Sequence, residues 1–232
     1  MINMQTVYFE NFKFDRHSPA IRISGFVYFT VSIIIIMTAN SFTHAIIYAM
    51  LLIAFYFFVY WMIIKSQVAF SLTATHFQQH LFRGGWIIKW NNICEINQCT
   101  LDHHGWHQPI PWIGIRLKSY TPYLESICPR IISEILLNQR GLLFLGIKQH
   151  PEYRFNFEDI VLDSRQFISD TGKCYTGLQA MLANRMKYQR RLHGYDLFIS
   201  VSDLGMGRSG DELIGLARRY IAAAEPDNNK KD

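Results

Sequence analysis

From Ile23 to Ile64 the chain runs 42 residues without an Asp, Glu, Lys or Arg, and Arg22 and Lys65 close the run at its two ends. A backbone in lipid must satisfy its own hydrogen bonds, so such a stretch is helical, and about 20 apolar residues cross a hydrocarbon core roughly 30 Å thick. Two helices fit, about 21–39 and 45–64, joined by Asn40, Ser41, Phe42, Thr43 and His44. A link this short predicts an antiparallel transmembrane hairpin with both ends in one compartment. Lys13, Arg16 and Arg22 precede the first helix, Lys65, Arg83 and Lys89 follow the second, and the link has no Lys or Arg. The positive-inside bias then predicts cytoplasmic termini. Tyr60 and Trp61 fall just before Lys65, where amphipathic rings favour the headgroup level, so Arg22, Tyr60, Trp61 and Lys65 mark the membrane boundary. A cleaved signal peptide fits poorly, because about 20 mixed residues including Glu10 and Asp15 come first. A buried helical pair in a soluble protein also fits poorly, because a surface helix of a soluble protein would show a polar stripe.

The part from Ser66 onwards has 19 basic and 16 acidic residues. That weak excess does not point to nucleic acid, which calls for concentrated basic density; it suits a domain held near anionic lipid. Cys94, Cys99, Cys128 and Cys174 are irregularly spaced, and in a cytoplasmic domain they are expected to be reduced thiols.

The pattern from Gln67 to Leu117 is short, alternating and β-branched or aromatic: Val68 to Leu72, Phe77 to Phe82, Trp86 to Trp90, Ile93 to Thr100 and Ile113 to Leu117. Gly84 and Gly85 give the clearest hairpin turn, and the whole reads as an antiparallel meander. Pro129 then opens a helix with Ile131, Ile132, Ile135 and Leu136 on one face, Gly141 ends it, and Leu142 to Ile147 reads as a further strand. Gly177 to Leu192 is a helix and Tyr195 to Val201 a strand. Ser209 to Glu212 has capping-box spacing and opens a helix to about Ala224, with Leu213, Leu216, Ala217, Tyr220 and Ile221 inward. The expected organisation is a cytoplasmic N-terminal segment (1–20), the hairpin (21–64), a cytoplasmic domain (65–225) and a disordered tail (226–232).

Strands closed by a C-terminal amphipathic helix have the order of a pleckstrin-homology-like barrel, an α+β fold. Leu72 and Thr73, the Phe77 to Phe82 strand, and the run Ile88, Lys89, Trp90, Asn91, Asn92, Ile93 carry this further. Together with Ile199 to Leu204 and the Asp211 to Tyr220 helix, they resemble the C-terminal domain of YcxB-like proteins. In that comparison about 119–194 is a helical insertion. The segment Tyr175 to Met186, followed by Gly194, Tyr195 and Asp196, resembles a family of uncharacterised bacterial inner-membrane proteins known only as a domain of unknown function. The resemblance implies that location and no reaction.

Several motifs fail on spacing. Gly205, Gly207 and Gly210 form a literal GxGxxG, but only 22 residues follow Gly210, too few for the second strand and the acidic residue of a dinucleotide site. His103, His104 and His107 with Cys94 and Cys99 lack paired ligands at structural-zinc spacing, and Asp102 to Pro109 reads as a polar loop or strand end. His76 and His80 are four apart on or beside a strand, where that spacing aligns nothing. Glu158 and Asp159 are adjacent and would face opposite ways on a strand. Asp170 to Lys173 lacks the upstream glycine of a phosphate loop, and no nucleophile elbow or HExxH occurs. No cofactor, metal or catalytic residue is expected.

The charges of the Gly177 to Leu192 helix are more informative. Arg185 falls on the apolar side with Leu178, Met181, Leu182, Gln189 and Leu192, so it needs a partner there. Glu158, Asp159, Asp163 and Asp196 are available, which makes Arg185 a buried ion pair or an anion site. Lys187, Arg190 and Arg191 fall on the opposite face, as a solvated surface or a lipid or partner contact. The reading is a membrane-anchored, non-enzymatic module that binds a protein partner or anionic lipid headgroups. The alternatives are a membrane-bound enzyme gripping an anionic substrate through Arg185 at a deep pocket, and a structural subunit of a membrane complex. For the last, Ser24, Gly25, Ser32, Ala49 and Ala54 would allow close helix contact.

Overall fold

The apolar run folds as two antiparallel helices, α1 (Pro19–Met37) and α2 (Phe42–Lys65). In this computed structural model the described residues are 5–12, 18–82, 84–103, 106–205 and 209–224. Lys13, Arg16, Arg83, His104, Gly105, Met206 to Arg208 and the tail from Pro226 lie outside them. Pro19 takes the first turn of α1, where its missing N–H costs nothing. Ser41 caps α2, accepting the His44 N–H at 3.4 Å. The cap draws Phe42, Thr43 and His44 into α2, so the link is Thr38 to Ser41, shorter than the sequence suggested. Tyr28 Oη donates to the Leu52 carbonyl and its ring lies 5.9 Å from that of Tyr56, which holds the two helices in register. No α2 side chain is buried. The 24-residue α2 is long and apolar enough to cross a membrane, whereas the apolar part of α1, Ile21–Met37, is shorter. Lys65 stands over the Trp61 ring at 5.3 Å.

The chain divides into two units, this hairpin (Phe12–Gln67) and the residues on either side of it. The second unit opens with β1 (Val7–Glu10), which pairs antiparallel with β2 (Val68–Leu72), Val7 opposite Leu72 and Glu10 opposite Ala69. Asn11 extends the pairing, its N–H donating to the Val68 carbonyl at 3.0 Å and its side-chain oxygen accepting from the Val68 N–H at 3.0 Å. The hairpin therefore stands in the chain where a tight turn would otherwise join two neighbouring strands. Residues 7–10, read in the sequence as part of a leading segment, are an edge strand.

β3 (His76–Leu81) and β4 (Gly84–Lys89) complete a four-stranded sheet in the order β1-β2-β3-β4. Gly84 and Gly85 are not the turn but the first residues of β4, opposite Leu81 and His80. A Cβ on Gly85 would lie 2.0 Å from the Gln79 carbonyl oxygen, so only glycine allows this approach. After a 3-10 turn at Trp90–Asn92, β5 (Ile93–His103) and β6 (Trp106–Leu117) form a long hairpin. Five helices follow: α3 (Thr121–Ser126), α4 (Pro129–Asn138), α5 (Arg140–Gln149), α6 (Phe157–Val161) and α7 (Gly177–His193). A short pair of strands, β7 (Phe167–Ile168) and β8 (Cys174–Tyr175), interrupts them. Last come β9 (Leu197–Ser200), which joins β6 in a β5-β6-β9 sheet, and α8 (Gly210–Ala223).

The expected barrel does not close. The two larger sheets remain separate, because the free edge of β4 is taken by the segment after it: Ser126 Oγ donates to the Ile87 carbonyl at 2.8 Å and the Cys128 N–H to that of Gly85 at 3.4 Å. The strand expected at Leu142 to Ile147 is instead α5, with Leu142, Leu143 and Gly146 buried at helical spacing, and Gly141 lies inside that helix rather than ending α4. Pro129 does open α4. Ser209 is the residue before α8, but its hydroxyl makes no capping bond.

One core joins both sheets to the helices. Phe77 is its hub, 5.9 Å from Phe70, 5.4 Å from Trp86 and 5.5 Å from Trp90, ring centre to ring centre. Trp86 continues to Tyr123 of α3 and Trp90 to Tyr220 of α8. The Trp90 indole N–H donates to the Thr73 carbonyl at 2.7 Å, which satisfies the single polar group of a fully buried ring. α3, α4 and α7 share this core through Tyr123, Leu124, Ile131, Ile132, Ala183 and Met186, whereas Leu143 of α5 and Ile160 of α6 pack with Leu192 in a smaller cluster.

Candidate anion-binding site

α7 presents two faces. Ala180, Leu182, Ala183, Met186 and Leu192 are buried, and Gly194, in the left-handed conformation at φ 81°, ends the helix. On the other face Asn184, Lys187, Tyr188 and Arg191 recur at i, i+3, i+4 and i+7, a continuous helical stripe. The loop from Asp163 to Gln166 lies along that stripe, and the two enclose an open cavity of about 360 Å³.

Asn184 docks the loop by donating to the carbonyls of Arg165 at 2.7 Å and Asp163 at 3.3 Å. Asp163 is the only carboxylate in the lining, and its oxygens are fully engaged. They accept from Arg165 Nε at 2.9 Å and Nη2 at 2.7 Å, from the Arg165 N–H at 3.1 Å and from Tyr188 Oη at 2.9 Å. The Arg165 bonds hold the Asp163 carboxyl at about 2, below its ordinary 3.8. Asp163 is 5% exposed and Arg165 78% exposed, so the guanidinium caps the carboxylate from outside. The side chains of Lys187 and Arg191 are exposed and form no hydrogen bond or ion pair among the described residues. Two cationic groups therefore face the cavity without a counter-charge.

The structure separates the three cations grouped on this face by the sequence. Arg190 turns away from Lys187 and Arg191. Its Nε donates to Asp196 at 2.6 Å, its Nη2 to Asp196 and to the Leu117 carbonyl at 2.6 Å, and its guanidinium lies over the Tyr120 ring at 5.1 Å. Asp196 also accepts from the Leu117 N–H and Tyr120 Oη, each at 2.7 Å. Arg190 is thus the arginine that pairs with the buried Asp196.

Arg185 is buried as expected, at 1% exposure, but among the described residues no acid pairs with it. Asp163 is taken by Arg165, Asp196 by Arg190, and Asp159 accepts from Asn156 at 3.0 Å. Arg185 Nη2 donates to the Val161 carbonyl at the end of α6, and among the described residues Nε and Nη1 have no hydrogen-bond partner. Burial, with Arg140 nearby, pulls its pKa down to about 10. It does not line the cation cavity.

The other residues weighed in the sequence are accounted for locally. His80 hydrogen-bonds Ser71 Oγ and His76 hydrogen-bonds Thr75 Oγ1, each at 2.9 Å. Glu158 and Asp159 lie in the first turn of α6, not on a strand. Among the described residues no three His, Cys, Asp or Glu side chains group as a metal site. Sequence reasoning missed Arg165 and Tyr188. Tyr188 shares the helical spacing of Lys187 and Arg191 and was legible in principle, whereas Arg165 depends on where an irregular loop docks.

No curated protein and no solved structure matches the chain. The model described as Protein of unknown function (DUF2982) matches residues 70–223, from within β2 to the end of α8, and the chain belongs to that family.

Proposed function

We propose that this protein is a membrane-anchored binding module of the bacterial inner membrane that holds anionic lipid headgroups with Arg165, Lys187 and Arg191. The observation that carries the reading is the pair Lys187 and Arg191, facing an open cavity whose one carboxylate, Asp163, is held by Arg165, with no ion pair of their own among the described residues. Cations near an anionic bilayer surface each contribute about 1 kcal/mol. The apolar hairpin supplies the tether. α2 has spanning length, and the 17 residues Ile21–Met37 of α1 stand at the short end of the spanning range. Two spans put Arg22 and Lys65 on one side, and the absence of Lys and Arg from the link makes that side cytoplasmic. Sheets of four and three strands with a C-terminal helix support kinship with the pleckstrin-homology-like order. Binding is favoured over catalysis through Arg185 because Arg185 is buried beside the Val161 carbonyl and does not line this cavity.

Native mass spectrometry of the full chain after gentle extraction tests this. The wild type should retain anionic lipid and a Lys187→Ala/Arg191→Ala variant should lose it. Equal retention by both would overturn the reading. A protein partner retained by the wild type alone would also overturn it, in favour of a protein-binding module.

A further inference from the structure

The charge arithmetic of the α7 cavity narrows its ligand. Three cations, Arg165, Lys187 and Arg191, stand against one carboxylate, Asp163. Asp163 is saturated by four hydrogen bonds and neutralised by Arg165. It also fixes the Arg165 guanidinium in place, leaving Nη1 uncommitted, while Tyr188 Oη accepts from Arg165 Nη2 at 2.8 Å and donates to Asp163. The local excess is two positive charges, on Lys187 and Arg191, one helical turn apart beside a pre-oriented third donor.

Resting on the headgroup reading above, we infer that the site selects a terminal phosphomonoester over a phosphodiester. A phosphomonoester carries a charge of about −1.5 to −2 at pH 7, with its second ionisation near pH 6, and three acceptor oxygens. Those three oxygens match three donors of separate origin: Arg165 Nη1, Lys187 Nζ and the Arg191 guanidinium. A phosphodiester or carboxylate brings a single charge and leaves one of the two cations unmatched. The cavity, about 360 Å³, is in the size range of small-ligand sites, and its open side leaves room for the esterified remainder. The same chemistry is offered by a lipid with a phosphate terminus and by a free phosphate.

The test uses the full chain in neutral detergent, titrated calorimetrically with short-chain phosphatidic acid, short-chain phosphatidylglycerol, inorganic phosphate and sulfate at pH 7.5 and pH 5.5. Phosphatidic acid should bind at least about fivefold tighter than phosphatidylglycerol, the worth of one matched charge. It should weaken between pH 7.5 and 5.5 as the dianion is lost, whereas sulfate, ionised throughout, should not. Lys187→Ala and Arg191→Ala should each weaken it by about fivefold, and Arg154→Ala, outside the cavity lining, should not. Phosphatidic acid binding more tightly than inorganic phosphate identifies the lipid as the source, and equal affinity identifies a soluble phosphomonoester; both support the selection. Equal affinity for phosphatidic acid and phosphatidylglycerol, lost in the variants, would overturn the phosphomonoester inference and leave the headgroup reading intact. No binding of either lipid would overturn both.

Discussion

Arg185 and Arg190 sit five residues apart on α7 and show how differently a guanidinium can be buried. Arg190 meets Asp196, whose side chain is fully buried. Removing one partner of such a pair leaves an uncompensated charge and costs about 3–5 kcal/mol. Arg190→Ala should therefore lower the thermal midpoint of the detergent-solubilised chain by on the order of 10 °C. Arg185 has one carbonyl partner and two idle donors, so an apolar side chain of similar length suits its site as well or better. Arg185→Met should leave the midpoint unchanged or raise it, and a fall comparable to that of Arg190→Ala would show that Arg185 has a counter-ion. His193 gives a pH signature. Burial pulls its pKa below 6.5 while its Nε2 faces the Leu142 carbonyl at 2.9 Å. The unfolded chain then binds the proton more readily than the folded one, so stability is full above pH 6.5 and falls as pH drops below it. The midpoint should decline between pH 7.5 and 5.5 more steeply in the wild type than in His193→Gln; equal slopes would mean the imidazole is not held neutral.

The elements with a sustained period were legible: the helices of the hairpin, α4, α7 and α8, and the strands β2, β3 and β4. Their apolar residues repeat over enough turns or pleats to settle the type. β1 was not, because four residues with one fully buried side chain, Phe9, carry no period that stands out. α5 was misread as a strand because Leu142 to Ile147 is apolar throughout, and such a run fits a buried strand and a buried helix alike. The faces of α7 were legible from the wheel. The identity of each partner was not, since Asp163 and Asp196 reach the helix through loops whose docking no local pattern encodes. That is why Arg185 was assigned an ion pair that Arg190 makes, and why Arg165 was overlooked.

Across the whole molecule, the main lesson is one of connectivity. The hairpin interrupts the link between β1 and β2, whose pairing continues to Asn11 and Val68, so the domain's fold needs no residue of 12–67 for its register. Replacing 12–67 by an Asn-Gly turn should yield a water-soluble chain that melts cooperatively and keeps the Phe9 and Asn11 amides, which face β2, protected from exchange. Loss of that protection would show that the helices hold β1 in place. The lipid-binding claim is tested most directly by photocrosslinking. The full chain, with benzoylphenylalanine in place of the exposed Ser164, between the lining residues Asp163 and Arg165, would be reconstituted into phosphatidylcholine vesicles with and without phosphatidic acid. The account predicts a phosphatidic acid adduct that disappears in the Lys187→Ala/Arg191→Ala background; an adduct equally abundant in that background, or no lipid adduct at all, would contradict it.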